Sequence, residues 1–381
     1  MVLAQIIFWS SVAVLFYVYC GYPMLVYAVS RALGKPIALG SFEPSVTIII
    51  TAYNEENGIR AKIENTLLVE YPKEKLEIIV ASDGSNDATE EIVRQFSNRG
   101  VQLFRQEGRA GKTATQNAAV ERSKGEIILF SDATTMYRPD VLSSLLPNFA
   151  DSSIGCVAGK LVYVNSADTN IGSGAKKYWS YETFLKEHES RACSLIGVSG
   201  CLYAVRKSAY VPMYPEACSD FLICTVLYRQ GLRSVYEPNA VCTEETNQRT
   251  REEFQMRVRV ISQTFTDLWR NRDILNIFKT GFYGIEVISH KLLRYAVPLF
   301  LLLILFSSAY LALYERFFTL VLALEVGFYL CAFVAWLLEL RRVKLGVFAV
   351  PLYFVLTNVS STIGFYKFLR GHRFAQWEPI R

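Results

Sequence analysis

Three aspartates stand at places where an α/β fold would put reactive groups. Asp83 and Asp132 each follow an apolar run, and Asp220 lies in a shorter string further along the chain. The carboxyl ends of parallel strands meet at one edge of an open sheet, where such folds bind ligands. Carboxylates at this edge can hold a divalent cation and a nucleotide diphosphate, and another can act as a base. These residues predict an enzyme that uses a nucleotide-activated substrate.

Three further strings fit the same edge. Tyr53 can pack on a base, and Glu55 can hydrogen-bond a ribose or a base. Residues 108–113 (Gly-Arg-Ala-Gly-Lys-Thr) are too short for the GxxxxGK phosphate loop, so only Lys112 is retained as a nucleotide contact. At residues 257–259 (Arg-Val-Arg), a guanidinium can bind a leaving diphosphate through two parallel hydrogen bonds.

Alternating apolar and amphipathic segments over residues 44–275 predict an α/β domain with a mostly parallel sheet. The predicted strands are residues 46–51, 76–82, 101–105, 126–131 and 154–164. The predicted helices are residues 57–69, 88–97, 111–122, 174–190 and 249–272. This order places the aspartates on loops that follow strands or begin helices.

Apolar segments at both ends of the chain are long enough to cross a membrane. Residues 6–30, 297–313 and 317–340 predict spanning helices, for which about 20 apolar residues suffice. The predicted divisions are an N-terminal anchor over residues 1–35, an α/β domain over 44–275, an amphipathic interface helix over 276–296, and a C-terminal transmembrane region with a basic tail over 297–381.

The last apolar stretch, residues 347–368, is compatible with two placements. It can span the membrane, or it can form a re-entrant hairpin or an interfacial helix, because Pro351, Asn358 and Gly364 interrupt it.

Basic residues that flank the predicted spans set the expected orientation. Under the positive-inside rule they place the N-terminus outside and the large domain in the cytoplasm, at the inner (plasma) membrane. These flanking residues are Arg31, Lys35, Arg341, Arg342 and Lys344.

Composition narrows the function classes. The net charge of +5 gives no nucleic-acid signal, and the basic residues suit anionic lipid head groups and a diphosphate. The eight cysteines form no CxxC pair, which favours a reduced domain facing the cytosol over a zinc site. A transporter is disfavoured because the predicted spans carry few charges, chiefly Glu325 and Glu339.

Taken in order, these strings resemble the family 2 glycosyltransferases with the GT-A fold, and the resemblance covers essentially the whole chain. Residues 52–55, 82–85 and 111–112 match the nucleotide-sugar half of that family, residues 178–182, 189–191 and 199–204 look like its acceptor half, and residues 289–294 and 377–379 look like its membrane-bound bacterial polysaccharide branch.

The resemblance implies an inverting hexosyl transfer from a nucleotide sugar, expected to be a UDP-sugar, with Mn²⁺ or Mg²⁺ as cofactor. Asp132 would be the first acid of the DxD motif and a metal ligand, and Asp220 would be the general base. The implied donor contacts are Tyr53, Glu55, Asp83, Lys112, Asp132 and Arg259, and the implied acceptor contacts are Trp179, Tyr181 and Gly200.

Three motifs depart from the family pattern. Thr134 replaces the second DxD acid, so metal ligation at Asp132 needs water, the diphosphate or another residue. Ser219 replaces the acid that usually precedes the base. Val260 replaces the tryptophan of QxxRW and Met256 its glutamine, which weakens the analogy with cellulose and hyaluronan synthases.

Three functions remain open at this point. The favoured one is transfer to a glycan acceptor at the cytoplasmic membrane face, for synthesis of a polysaccharide or surface glycan. The second is transfer of one sugar to a polyprenyl phosphate or another lipid carrier. The third, suggested by Thr134, is a non-catalytic nucleotide-sugar-binding assembly subunit. Expected partners are the donor, a glycan or lipid-linked acceptor and membrane lipid; an oligomer is compatible with all three functions, and nucleic acid is not expected.

Overall fold

A computed structural model contains an eight-stranded sheet with helices on both faces and helical segments at both ends of the chain. It describes residues 1–164, 170–245, 250–341, 343 and 345–376. Arg342, Lys344 and residues 377–379 therefore lie outside the described part of the chain. The strands are β1 Val46–Ala52, β2 Leu76–Ser82, β3 Val101–Arg105, β4 Ile127–Asp132, β5 Met136–Tyr137, β6 Ile154–Val164, β7 Tyr203–Arg206 and β8 Arg233–Glu245.

Helices connect the strands and extend beyond them at both ends. They are α1 Val2–Phe16, α2 Tyr22–Ala32, α3 Ile59–Leu67, α4 Thr89–Arg94, α5 Lys112–Arg122, α6 Val141–Leu145, α7 Asn170–Ala192, α8 Ser219–Arg229, α9 Thr250–Arg270, α10 Ile277–Thr280, α11 Phe282–Val287, α12 Arg294–Leu311, α13 Arg316–Leu340 and α14 Ala349–Leu369.

The strand order is β3-β2-β1-β4-β7-β6-β8-β5. The first four strands in this order are mutually parallel, and β7 is antiparallel to both β4 and β6. Ala52 pairs with Ser82, and Thr51 pairs with Asp132, so β1, β2 and β4 end at the same edge. The predicted mostly parallel α/β sheet is confirmed, and its carboxyl edge carries the loops of the candidate site.

Apolar side chains of the central strands pack on both faces of the sheet. Ile48 and Ile50 of β1 belong to one hydrophobic cluster, while Ile49 packs in the other with Ile128 and Phe130 of β4. All seven residues of β1 are buried. This two-sided burial explains why the sequence shows continuous apolar runs there and no alternation.

Three helical segments are long and apolar enough to cross a membrane: Val2–Ala32, Phe282–Leu311 and Arg316–Leu340. Phe306 and Leu324 on the latter two segments are 69% and 66% exposed, as expected for side chains that face lipid. The interface helix predicted over residues 276–296 stays a prediction, and most of that range belongs to the second of these segments. A π-helical turn at Ile288–Leu293 joins α11 to α12 without a break.

Buried polar contacts hold this continuous helix against the α/β domain. His290 Nε2 lies 3.2 Å from Glu182 Oε2, and His290 Nδ1 lies 2.7 Å from Glu189 Oε1. Arg294 pairs with the same Glu182. These contacts connect α7 to the start of the second candidate span.

The re-entrant hairpin considered for residues 347–368 does not form, since α14 is one uninterrupted helix. Pro351 is its third residue, where the missing N–H would have no partner within the helix. Gly364 permits close packing, because a Cβ there would lie 2.9 Å from Ile261 of α9. Among the described helices, α14 is not one of the three that meet the criteria for a span.

Candidate active site

Three of the predicted charged residues converge around Gly200, in the loop before β7. A Cβ atom at Gly200 would lie 3.1 Å from Lys112 Nζ, 3.3 Å from Asp220 Oδ2 and 3.8 Å from Asp132 Oδ2. These three side chains come from α5, α8 and β4. The fold therefore gathers two carboxylates and an ammonium group around one small open space.

Asp220 is fixed in the first turn of α8 by contacts from two other helices. Cys218, the residue before that helix, donates its backbone N–H to Asp267 of α9 at 3.0 Å. The Ser219 hydroxyl donates to Gln116 of α5 at 2.8 Å. The Cys218 thiol donates to Asp220 Oδ1 at 2.9 Å, which leaves Oδ2 as the oxygen nearest Gly200. The acid that would usually precede the base is thus a serine that anchors the loop.

Lys112 is the first residue of α5 and forms an ion pair with Asp132 Oδ1. Burial alone would lower the pKa of Lys112, but the carboxylates of Asp132 and Asp220 outweigh it and hold the pKa above its ordinary value. The two paired side chains are 29% and 31% exposed, which places them at the open side of the site. A protonated Lys112 beside Asp132 is suited to binding phosphate oxygens.

A carboxylate not predicted from the sequence lies beside Thr134, the residue that replaces the second DxD acid. Glu244 of β8 accepts a 2.7 Å hydrogen bond from the Thr134 hydroxyl. The pairing of β5 with β8, in which Met136 faces Thr243, brings these segments together. Burial, followed by the charge of Asp132, raises the pKa of Glu244 to about 7. No local sequence motif identifies Glu244 as a site residue, because its position depends on pairing between strands that are distant in the sequence.

Lys62 stabilises the segment on both sides of Asp132. Its ammonium group donates to Ser131 Oγ at 2.9 Å and to the carbonyl of Thr135, and it lies 3.4 Å from the centre of the Tyr137 ring. Lys62 has no exposed surface, and burial lowers its pKa well below the ordinary value. The burial of Lys62 was predictable from the sequence, because Lys62 lies three residues after Ile59 and therefore on the same, buried face of the helix.

Asp83 shapes the loop that precedes α5. Its carboxylate is fully buried and accepts hydrogen bonds from the backbone N–H groups of Ala110 and Gly111, at 2.8 and 3.0 Å, and from Thr115 Oγ1 at 2.9 Å. The donor contact expected of Asp83 stays a prediction. What the geometry establishes is that Asp83 fixes the loop that leads to Lys112.

Tyr53 lies at the predicted nucleotide end of the site, with the Arg109 guanidinium 3.9 Å from its ring centre. A hydrogen bond connects the loop after β1 to the start of α4, since the backbone N–H of Glu55 donates to Thr89 Oγ1 at 2.7 Å. The C-terminal segment also reaches this loop, because Gln376 donates to the carbonyl of Arg109 at 2.8 Å. The tail thus borders the predicted nucleotide pocket.

Arg257 and Arg259 point in different directions from α9, as expected for side chains two residues apart. Burial lowers the pKa of Arg259, while Cys218, Asp132 and Asp220 pull it upward, which places its guanidinium on the active-site side. Its buried Nε finds no acceptor among the described residues. Arg257 lies on the other side, where it pairs with Glu253 and bonds Tyr353. The Nε–H of Arg259 is therefore a suitable hydrogen-bond donor for an anionic ligand.

Of the predicted acceptor residues that the structure describes in full, Tyr181 and Gly200, only Gly200 lies at this centre. Tyr181 donates its hydroxyl to the carbonyl of Val18 at 3.1 Å, so it packs against the N-terminal helical segment. Trp179 belongs to α7, but its side chain lies outside the described part of the structure.

The donor set suits a hard divalent cation, although it is small. Asp132 and Glu244 supply carboxylate oxygens, and Thr134, which bonds Glu244, supplies a hydroxyl; all are ligands that Mg²⁺ and Mn²⁺ accept. Within the described residues, no cluster of three or more His, Cys, Asp or Glu side chains is arranged for a metal. Phosphate oxygens and water must therefore complete any coordination shell, as is usual for Mg²⁺ sites that bind nucleotides.

A family model matches the part of the chain that carries most of these groups. Residues 47–211 match the model described as glycosyl transferase family 2. These residues form a family 2 glycosyltransferase domain. They include β1 to β7 and the Asp83, Lys112, Asp132 and Gly200 positions, while Asp220 and Arg259 follow them.

Relatives and a solved structure agree with this assignment. A poly-beta-1,6-N-acetyl-D-glucosamine synthase of Staphylococcus aureus is 28% identical over 204 residues, which cover 52% of this chain and 49% of the relative. The glycosyltransferase AglE of Haloferax volcanii is 29% identical over 151 residues, covering 39% of this chain and 49% of the relative. The chain matches about half the length of these relatives.

The fold of the whole chain has a solved counterpart. The mannosyltransferase PcManGT of Pyrobaculum calidifontis, solved in complex with GDP-Man and Mn²⁺, superposes with a TM-score of 0.72. The match covers 95% of this chain and 99% of that protein, at 21% sequence identity. At this identity the likeness establishes the fold, so the family 2 domain and its flanking helices share one architecture with that enzyme.

Proposed function

We propose that the chain is an inverting glycosyltransferase that moves a sugar from a nucleotide sugar to a hydroxyl of a glycan acceptor. The observation that carries this proposal is the convergence of Asp220, Asp132 and Lys112 around Gly200. The names of the Staphylococcus and Haloferax relatives support the reaction class, and the first of them supports a polysaccharide product. The buried, unpaired Nε of Arg259 argues against a purely structural role for the cleft.

The reaction is a single displacement at the anomeric carbon, in which each residue has a distinct role. The acceptor hydroxyl oxygen bonds to the anomeric carbon on the face opposite the leaving group, and its proton passes to the Asp220 carboxylate. The bond from the anomeric carbon to the β-phosphate oxygen breaks, and the nucleoside diphosphate leaves with that electron pair. Lys112 and Arg259 stabilise the charge that develops on the diphosphate. A carboxylate base of this kind contributes roughly 10²–10⁴-fold to the rate.

A divalent cation would be held by Asp132 and Glu244, together with the Thr134 hydroxyl that bonds Glu244. When bound, it would neutralise charge on the diphosphate oxygens. Tyr53 is proposed to stack on the base, beside the Arg109 guanidinium, and Glu55 to contact the ribose or base. Asp83 is proposed to act through the loop that it holds. UDP is the expected nucleotide of the donor. Because the solved counterpart was determined in complex with GDP-Man, a GDP-sugar is the alternative donor to compare with a UDP-sugar.

The domain is proposed to face the cytoplasm, anchored by the helical segments at both ends of the chain. Arg31 lies in the last turn of the first candidate span, Lys35 follows that span, and Arg341 follows the third. Intracellular nucleotide sugars are then available to the cleft. This placement also sets the acceptor at the inner face of the membrane.

A panel of nucleotide sugars tests the proposal. The purified full chain is incubated with UDP- and GDP-sugars, with Mn²⁺ or with a chelator, and the released nucleoside diphosphate and any glycan are measured by mass spectrometry. We expect slow release without acceptor and faster release with acceptor and metal. Tight binding of a donor with no release under any condition would instead favour the nucleotide-sugar-binding subunit.

The second candidate, transfer to a lipid carrier, is favoured by one specific observation. A cavity lined by Arg257 and Arg294 lies among the helices next to the proposed membrane anchor. A phosphate-bearing lipid is the acceptor class that matches this charge.

A further inference from the structure

The loop that carries Gly200 is bonded directly to the turn that carries Asp220. The backbone N–H of Val198 donates to the carbonyl of Asp220 at 2.8 Å. A Cβ atom at Gly197 would lie 3.7 Å from the same carbonyl oxygen and 3.7 Å from the Cα of Phe221, so the two segments pack closely. The position of this loop therefore sets the separation between Gly200 and the proposed base.

A buried cation of α7 holds this loop. Lys186 Nζ donates to the Ser199 hydroxyl oxygen at 2.7 Å, and Ser199 is the residue before Gly200. Both residues of this pair are buried. The backbone N–H of Leu202 donates to the Ser199 carbonyl at 3.2 Å, which closes a turn over residues 199–202. Lys186 is thus bonded to the turn that places Gly200 at the reaction centre.

The charge of Lys186 also acts on the reaction centre. Burial lowers the pKa of Lys186, while the negative charge of Glu182 and, more weakly, that of Asp220 raise it. An electrostatic interaction acts on both of its partners, so a protonated Lys186 attracts the Asp220 carboxylate. The cation therefore acts on the same aspartate whose backbone the loop contacts.

Packing alone does not account for a lysine at this position. Taking an ammonium group out of water costs several kcal/mol, and an apolar side chain of similar volume is often a neutral or stabilising replacement for a buried ion. The preceding residue, Leu185, shows that an apolar side chain is buried on α7 where packing suffices. The hydrogen bond and the charge that Lys186 supplies at Ser199 explain its presence better than filling of the core does.

Helix α7 is itself anchored on both sides of Lys186. Glu182, one turn before Lys186, pairs with Arg294 at the start of α12. Glu189, nearly one turn after it, accepts a hydrogen bond from the Tyr22 hydroxyl at 2.5 Å. Tyr22 and Arg294 belong to the first and second candidate spans. The ammonium group of Lys186 is therefore carried by a fixed helix and can hold the loop in one place.

We propose that Lys186 is a positioning residue for sugar transfer, which acts through Ser199 to hold Gly200 and Asp220 at the separation that the reaction needs. This inference rests on the proposed glycosyltransferase function and adds to it a residue that contacts neither donor nor metal. Lys112 and Arg259, which are proposed to bind the diphosphate, lie on α5 and α9. Loss of Lys186 should therefore lower turnover and leave donor affinity unchanged.

Three variants separate the parts of this contact. Lys186→Met removes the cation and keeps an unbranched side chain, Ser199→Ala removes the acceptor and keeps the cation, and Lys186→Arg keeps a cation that can donate to Ser199. The double variant Lys186→Met with Ser199→Ala tests whether the two residues act as one unit. Arg191→Met, which removes an exposed cation from the same helix, is the matched control.

Turnover is measured on the purified full chain as nucleoside diphosphate released from the UDP- or GDP-sugar that the unmodified chain uses, with water as the acceptor. Calorimetry measures donor affinity, and thermal denaturation monitors folding. We expect Lys186→Met and Ser199→Ala to lower turnover by about tenfold or more, because small displacements of reacting groups are costly in rate, and to leave donor affinity within about twofold. The double variant should lose no more than the more affected single variant, Lys186→Arg should recover part of the turnover, and Arg191→Met should equal the unmodified chain.

A smaller loss of turnover in Lys186→Met and Ser199→Ala would overturn the inference, including the case in which only their melting temperatures fall. Independent losses that multiply in the double variant would overturn it as well, and so would a loss of donor affinity as large as the loss of turnover. If Lys186→Met does not fold, Ser199→Ala decides by the same criteria. An unmodified chain that releases no nucleoside diphosphate refutes the proposed function itself, whereas an active chain with unaffected variants refutes only the role of Lys186.

Discussion

Substitution of Gly200 by alanine places a methyl group at the centre of the proposed site. The new Cβ would lie 3.1 Å from Lys112 Nζ and 3.3 Å from Asp220 Oδ2. Both distances are shorter than ordinary van der Waals contacts, so the two side chains must move by a few tenths of an ångström. The methyl group also occupies space that the transferred sugar and the acceptor hydroxyl would share.

The backbone should tolerate this change, because Gly200 has no left-handed φ. Replacing glycine at such a position restricts the unfolded chain and changes stability by only about 0.4–1 kcal/mol. Catalysis is more sensitive to position, since a misplacement of about 1 Å can cost on the order of a hundredfold in rate. We expect Gly200→Ala to fold normally and to lose about a hundredfold in turnover, which is about 2.7 kcal/mol of transition-state stabilisation.

The assay compares nucleoside diphosphate release by Gly200→Ala with that by Gly58→Ala. A Cβ at Gly58 would meet nothing within 4 Å, so this control carries the same chemical change outside the site. Thermal denaturation of both variants monitors folding. Turnover of Gly200→Ala within threefold of the unmodified chain would refute the placement of the reaction centre.

Three further changes test other parts of the site. Glu244→Gln should weaken Mn²⁺ binding at least tenfold, measured by electron paramagnetic resonance, because it removes a charged oxygen beside Thr134. Gly111→Ala should lower donor affinity and expose the C-terminal tail to protease, because its φ is +95° and its Cβ would lie 2.0 Å from the Ala375 carbonyl oxygen. Asp267→Asn should reduce the pH dependence of the melting temperature. The folded-state pKa of Asp267 is raised to about 7 from 3.8, chiefly by burial, so its ionisation removes stability as the pH rises between those values.

Matched controls accompany these variants. Glu245→Gln changes an exposed neighbour of Glu244 and should leave Mn²⁺ affinity unaltered; a similar loss in both variants would remove Glu244 from the metal site. Gly108→Ala carries similar backbone strain at φ +72° with no atom within 4 Å, and equal effects at both glycines would exclude the tail contact. An unchanged slope of melting temperature between about pH 4 and 7 in Asp267→Asn would show that Asp267 is not protonated in the folded protein.

The parallel half of the sheet was predictable because local signals suffice for buried strands. Residues 76–82 and 101–105 match β2 and β3 without error, since each is an apolar run between turn residues. β7 and β8 were not predicted. β7 has four residues, and β8 contains Pro238, so neither carries a clear period of its own. Both are stabilised as strands by pairing with β6, which no local pattern encodes.

In the candidate site too, residues in local motifs were predictable and residues placed by long-range pairing were not. Lys112, Asp132 and Asp220 were predicted from their strings, and the structure brings them together at Gly200. Glu244 was missed because its relation to Thr134 depends on the β5–β8 pairing across more than a hundred residues. The internal hydrogen bonds of Asp83 were also missed, since a carboxylate after a strand looks the same whether it binds a ligand or a loop.

The most direct test of the central claim is transfer by Asp220→Asn, with donor affinity measured on the same protein. The account predicts that nucleoside diphosphate release in the presence of acceptor falls by roughly 10²–10⁴-fold, because no base receives the acceptor proton. Donor affinity should stay within a few-fold, because Lys112, Asp132 and Arg259 are unchanged. Near-normal release by Asp220→Asn would contradict the account and remove Asp220 from the reaction.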